Sequence, residues 1–162
     1  MSGTLRQISV VIIAWAAAAL FSGCPIDPGG NLDNPAGVVL ERTAGNFVAG
    51  QEFTITVTIT TQQGQGISAL GLTETVPVGW AFVAVDGEAG QIPPLAPHYG
   101  DSGDLGFIWI AIPDFPVSFT YTVLVPDGAP SPAEISGQVD YYQSLGLLWS
   151  DPAVSSFSSA PS

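Results

Sequence analysis

Phe53-Thr-Ile-Thr-Val-Thr-Ile-Thr60 alternates apolar and hydroxyl side chains without a break. Successive side chains of a strand point to opposite faces of a sheet, so this segment reads as one β-strand with a buried face and a wet face. The same period recurs in Val117, Phe119, Tyr121, Val123 and Val125 against Ser118, Thr120 and Thr122. It recurs again in Ile135, Gly137, Val139 and Tyr141 against Glu134, Ser136, Gln138 and Asp140. Three such strands need a second layer over their apolar side, because a one-faced sheet cannot leave that face in water. Phe53, Ile55, Val57, Phe119, Tyr121 and Val139 are therefore expected in the core.

Outward from these strands, shorter apolar runs predict further strands at Val38–Arg42, Ser68–Val76, Trp80–Asp86, Leu105–Ile112 and Leu145–Ser150. Turn signals separate them, among them Gly64-Gln65-Gly66, Pro77-Val78-Gly79 and Pro126-Asp127-Gly128. Nothing after residue 24 repeats at the helical period, so the chain is expected to be all-β: an antiparallel β-sandwich of about 7–8 strands over residues 38–150, with a Ser/Pro-rich tail over 151–162. The sequence has 162 residues and is 46% hydrophobic, enough for a single core. It holds one cysteine, which rules out a disulfide between the sheets.

The order and spacing of Ile67-Ser-Ala-Leu-Gly-Leu-Thr-Glu-Thr-Val-Pro-Val-Gly-Trp80, Phe107-Ile-Trp109, Phe119-Thr-Tyr121-Thr-Val-Leu-Val-Pro126 and Ile135-Ser-Gly-Gln-Val139 resemble the immunoglobulin-like "conserved repeat" domains of bacterial surface proteins. Val76 stands where that family has leucine before the proline. The resemblance implies an immunoglobulin-like sandwich serving as a spacer or interaction module in the cell envelope.

The amino-terminal end reads as an address. Arg6 precedes an apolar run over residues 8–21, the charged and hydrophobic parts of an export signal, and the run falls short of the roughly 20 residues a membrane-spanning helix needs. Leu20-Phe21-Ser22-Gly23-Cys24 resembles the lipobox of bacterial lipoproteins, with Phe21 where leucine is commonest. That resemblance implies a helical signal peptide over 1–23, cleavage between Gly23 and Cys24, and lipid on the Cys24 thiol. Residues 24–37, rich in Pro, Gly, Asn and Asp, then form a flexible tether. Two or more acyl chains hold a protein on a membrane stably, at about 0.8 kcal/mol per buried CH₂. The expected location is the outer membrane or the outer face of the cytoplasmic membrane.

The net charge is −12, lysine is absent, and the two basic residues are Arg6 and Arg42. Binding a phosphate backbone needs clustered Lys or Arg to displace counterions, so nucleic acid is excluded as a partner. The remaining partner classes are an envelope protein or a glycan.

No catalytic constellation emerges. His98 lies in Pro97-His98-Tyr99-Gly100 beside Asp101, but no serine occupies a strand-to-helix elbow, so His98 reads as a loop residue and the chain as no enzyme. With one cysteine and one histidine the chain offers no zinc site and no cofactor is implied. Asp86, Glu88, Asp101 and Asp104 share the loop region 86–104 with several glycines, but their spacing fits no calcium-binding loop, and solvated acids are the favoured reading. Trp80, Trp109 and Trp149 are expected to fill the core rather than to stack on sugars. The segment Leu105–Ile112 is apolar on both faces, with Leu105, Phe107 and Trp109 on one and Ile108, Ile110 and Ile112 on the other. The outer three are expected to be covered by the loop from Gly87 to Gly103 or by the amino-terminal strand, in preference to a partner or a second copy.

Overall fold

The structure, a computed structural model, describes residues 34–62, 66–144 and 146–161. The expected signal peptide, the Gly23–Cys24 bond, Cys24 itself and most of the tether lie outside the described residues. Within them the fold is all-β with nine strands: β1 Val39–Thr43, β2 Glu52–Thr60, β3 Ala69–Thr75, β4 Ala81–Gly87, β5 Asp104–Trp109, β6 Val117–Leu124, β7 Ala133–Gln143, β8 Gly146–Trp149 and β9 Ala153–Phe157. One sheet has the order β1-β2-β6-β4; the other runs β5-β3-β7-β8, with β9 also paired to β7. All strand pairs are antiparallel.

The alternating segments sit where their period places them. In β2, Phe53, Ile55, Val57 and Ile59 are buried while Glu52 and Thr54 are exposed, and β6 runs alongside with Phe119 opposite Val57 and Tyr121 opposite Ile55. All six residues expected in the core are buried. Aromatic rings lock the layers together: Phe47 and Phe53 pack edge-on against Trp80 and each other, and Phe157 edge-on against Phe53, at centroid distances of 5.2–6.1 Å. Phe107 meets Phe119 and Tyr121 at 5.3 and 5.4 Å further along. Edge-to-face rings set each quadrupole's positive rim against a negative face, adding about 0.5–1.5 kcal/mol per pair to the burial of area.

Three expectations are corrected. The stretch 151–162 is not only a tail: Ala153–Phe157 forms β9, in register with Ala133–Gly137 of β7, and Phe157 is buried. Its inward positions Ala153 and Ser155 are small because the Arg42 guanidinium fills that space, Nη1 donating to the Ala153 carbonyl and the Ser155 hydroxyl at 3.3 Å each. This removed the apolar alternation that would have marked a strand. The tether ends earlier than Gly37. Asn34 is buried, its side chain donates to the Val38 carbonyl at 2.8 Å and accepts from the Val38 amide at 2.9 Å, and the Tyr141 hydroxyl donates to its Oδ1 at 2.9 Å. Finally, β5 stops at Trp109, three residues short of the expected end; Pro113 and Pro116 beyond it have no amide to give a ladder.

Candidate interaction surface

The two sheets differ in what their central strands present to solvent. On the β1-β2-β6-β4 sheet the outward positions of the central pair are Thr54, Thr56, Thr58, Ser118, Thr120 and Thr122, paired across β2 and β6. Thr54 and Thr122 share a hydrogen bond of 2.9 Å. Exposed Val39 of β1 and Leu124 of β6 stand at the margins of that face.

The outer face of the second sheet is built differently. Register places Ile108, Gly71, Asp140 and Trp149 in one row across β5, β3, β7 and β8. The neighbouring row carries Ala69, Tyr142 and Leu147. Ile108 is 50% exposed, Tyr142 49%, Leu147 51% and Trp149 45%, and Ile110 stands free at 74% just beyond the end of β5. Towards the opposite end of the same strands the face becomes polar, with Thr73 beside Gln138 and Thr75 beside Ser136 and Asp104. A cleft of about 330 Å³ opens there, lined by Thr73, Thr75, Asp104, Gln138, Asp140 and Pro152 among others.

The expected intramolecular cover over Ile108 and Ile110 is therefore absent among the described residues. The loop from Gly87 to Gly103 pairs edgewise with β5 instead: the Ile108 amide donates to the Leu95 carbonyl at 2.9 Å and the Leu95 amide returns a bond of 3.3 Å. Gln91 pins the loop in that place. Its carbonyl accepts from Trp109 Nε1 at 2.8 Å, its Oε1 accepts from the Ser118 amide at 2.9 Å, and its Nε2 donates to the Asp114 carbonyl at 3.2 Å. A loop held by its backbone along an edge leaves the adjoining face open.

The tryptophans divide accordingly. Trp80 and Trp109 are buried as expected, at 0% and 2% exposure. Trp149 departs from the expectation: its parity in β8 turns it outward beside Asp140.

The other singled-out residues do not assemble into a reactive centre. The His98 side chain is almost fully exposed, 3.8 Å from Asp101 Oδ2, and Asp101 serves the loop by accepting from the His98 amide at 2.8 Å. Asp86 accepts from the Gly87 amide at 2.7 Å, and Asp104 from the Thr75 hydroxyl at 2.6 Å. These acids are spent on local turns and pairs, and among the described residues no three His, Cys, Asp or Glu side chains group closely enough to hold a metal ion. Nor is any helix there long and apolar enough to cross a membrane.

Two polar features escaped the sequence reading. The first is a buried ion pair between the sheets, Arg42 Nε to Glu74 Oε2 at 2.7 Å, with the Tyr121 hydroxyl donating to the same oxygen at 3.2 Å. Burial raises the Glu74 carboxyl above its ordinary value despite Arg42 and Tyr121, and burial with the Glu74 charge beside it raises the Tyr121 phenol. Parity was the available signal: Arg42 follows Leu40 and Glu74 follows Leu70 and Leu72 on the inward side of their strands. The second is Asp140, half-buried on the outer face, whose carboxyl burial pushes up. It has no hydrogen-bond or ion-pair partner among the described residues.

No protein-family model matches the sequence, and no curated protein matches it. Solved structures match its fold. A cohesin module from the Clostridium perfringens ATCC13124 family 33 glycoside hydrolase aligns with a TM-score of 0.60 at 7% identity, covering 76% of this chain and 96% of that one. The sixth cohesin of Acetivibrio cellulolyticus scaffoldin B, solved in complex with a mutant Cel5 dockerin, aligns with a TM-score of 0.53 at 11% identity, covering 76% and 99%. The full-length major pilin SpaD from Corynebacterium diphtheriae aligns at 0.50 and 10% identity, covering 72% of this chain and 35% of the pilin. At such identities the likeness shows architecture: the chain folds as an all-β sandwich of the kind these cohesin and pilin domains share.

Proposed function

We propose that this chain is a lipid-anchored module of the bacterial cell envelope that binds a partner protein through the outer face of its β5-β3-β7-β8 sheet and catalyses nothing. The observation that carries the reading is the uncovered apolar end of that face, Ile108, Tyr142, Leu147 and Trp149, set against the hydroxyl-lined centre of the other sheet's outside. Contiguous exposed apolar surface on one face of a small domain marks a contact site, since aromatic and aliphatic groups gain free energy only when something excludes water from them. A cohesin of similar fold was solved bound to a dockerin, and a pilin shares the architecture, which supports protein docking and an envelope setting.

Attachment follows the amino-terminal reading: cleavage between Gly23 and Cys24 and acylation of the Cys24 thiol. Labelled palmitate is expected to enter the wild-type protein and not Cys24→Ser; equal labelling of both refutes the anchor.

Docking is tested by panning a displayed library of random peptides on the purified protein and rescreening every clone on Ile108→Ser/Trp149→Ser. The expected clones lose at least tenfold in affinity on the double variant, and clones that bind both forms equally refute the face. Trp149 and Tyr142 are neighbours on one face, which also suits a sugar ring. That second reading prevails if a glycan array gives signals that depend on Trp149 while the peptide clones do not.

A further inference from the structure

Among the described residues the surface carries no exposed lysine or arginine. Among the described residues the one arginine is Arg42, whose side chain is fully buried against Glu74. Acids stand all around the domain, and three of them, Asp104, Glu134 and Asp140, lie on the outer face of the β5-β3-β7-β8 sheet. The field outside this face is thus negative, and a second copy would bring the same charges against each other. A complementary partner is cationic.

Asp140 narrows this to one contact. It sits mid-row on the face, flanked by Gly71 and Trp149, with Ile108 beyond the glycine. Strands lie about 4.8 Å apart, so Ile108 and Asp140 frame a trough about 10 Å wide whose floor is Gly71. Nothing fills that floor: a Cβ built on Gly71 meets its nearest heavy atoms only at 3.8 Å. A half-buried carboxylate without a partner loses hydration and gains nothing in return within the chain, which is why burial pushes its carboxyl up. Beside it stands the half-exposed indole of Trp149, the side chain whose ring attracts cations best.

We infer that Asp140 is the anchor for an arginine or lysine of the partner protein, the stem of that side chain lying over Gly71 against Ile108 and its charged head between Asp140 and Trp149. Arginine suits the place better. Its planar fork pairs with a carboxylate through two hydrogen bonds while its flat face stacks on an indole. The inference rests on the docking reading and adds to it the chemistry of the partner's central side chain.

The test uses the peptide clones that depend on Ile108 and Trp149. Their sequences are expected to be enriched in arginine or lysine next to an apolar residue. Synthetic peptides made from them are expected to lose tenfold or more on Asp140→Asn, and less than twofold on Glu52→Gln, which removes a charge from the start of β2 in the opposite sheet. Gly71→Val is the variant chosen to keep the fold, since a Cβ at Gly71 makes only ordinary contacts of 3.8 Å or more and β-branched residues favour strands. It is expected to melt no lower than the wild type and to bind at least tenfold more weakly. Clones without basic residues, or equal losses on Asp140→Asn and Glu52→Gln, overturn the anchor while leaving the docking face standing. Full affinity in Gly71→Val overturns it as well. Failure to obtain any clone sensitive to Trp149→Ser overturns the docking face and the anchor together.

Discussion

Gly137 decides how Arg42 can be buried. It lies opposite Glu74 in the β3–β7 register, and a Cβ there would press on Arg42 Nη2 and stand 2.7 Å from the Thr73 carbonyl oxygen and 3.1 Å from Glu74 Oε1. Backbone cannot step aside as the end of a side chain can. Gly137→Ala is therefore expected to destabilise by about 1–3 kcal/mol, as overpacking does, even though alanine is normally the better strand residue. Chemical denaturation checks this, and an unchanged midpoint would mean that the guanidinium shifts freely. Arg42 Nη2 and Glu74 Oε1 have no hydrogen-bond partner, so the pair sits in its space without reserve. Asp140 gives a prediction of the opposite sign. Its carboxyl is raised in the folded state by burial, so the folded form holds its proton more readily than the unfolded form. The stability tied to that proton is complete below the ordinary aspartate range and is lost as pH climbs through the raised value. Asp140→Asn removes the penalty, so its melting temperature relative to wild type is expected to increase between pH 3.5 and pH 7. A difference that stays constant across that range would show the carboxyl to be well hydrated. A residue that destabilises its own fold at neutral pH is what a binding site predicts.

At the scale of the strand, legibility followed side-chain size. β2, β6 and β7 could be read from the sequence because apolar groups mark nearly every inward position, Gly137 of β7 apart, and β1, β3 and β4 came within a residue or two of their observed bounds. β9 could not be read: its inward residues are Ala153, Ser155 and Phe157, and the first two are small to admit a side chain from a strand over a hundred positions earlier. Long-range packing of that kind leaves no trace in local periodicity. The open face had a partial trace. Two apolar parities in β5 announced surface on both sides, but whether a loop lay over the outer one depended on Gln91, whose three bonds could not be foreseen. Phe119 and Phe157 test the two kinds of strand together. Phe119→Ala, in the middle of the sandwich, is expected to lose about 3–5 kcal/mol. Phe157→Ala is expected to lose at least 2 kcal/mol, because Phe157 packs against Phe53 at 5.4 Å. Urea unfolding measures both, and a Phe157→Ala midpoint equal to wild type would make the carboxy-terminal strand an appendage.

For the molecule as a whole, the burial of Arg42 bears on how the domain meets proteases. Enzymes of the trypsin class cut after lysine or arginine, and this sequence offers them only Arg6, ahead of the domain, and Arg42. The Arg42 side chain is entirely enclosed between the sheets, so the specificity pocket of such an enzyme cannot reach it until β1 leaves the sandwich. Trypsin digestion is thus expected to yield no internal fragments at temperatures well below melting and then a single cut within residues 34–161, at a rate set by opening of the fold. Rapid cutting after Arg42 in the cold would show that β1 frays independently. A domain whose one arginine among the described residues is locked in the core needs no added shield against this class of enzyme, and one chain scission reports on the cohesion of both sheets.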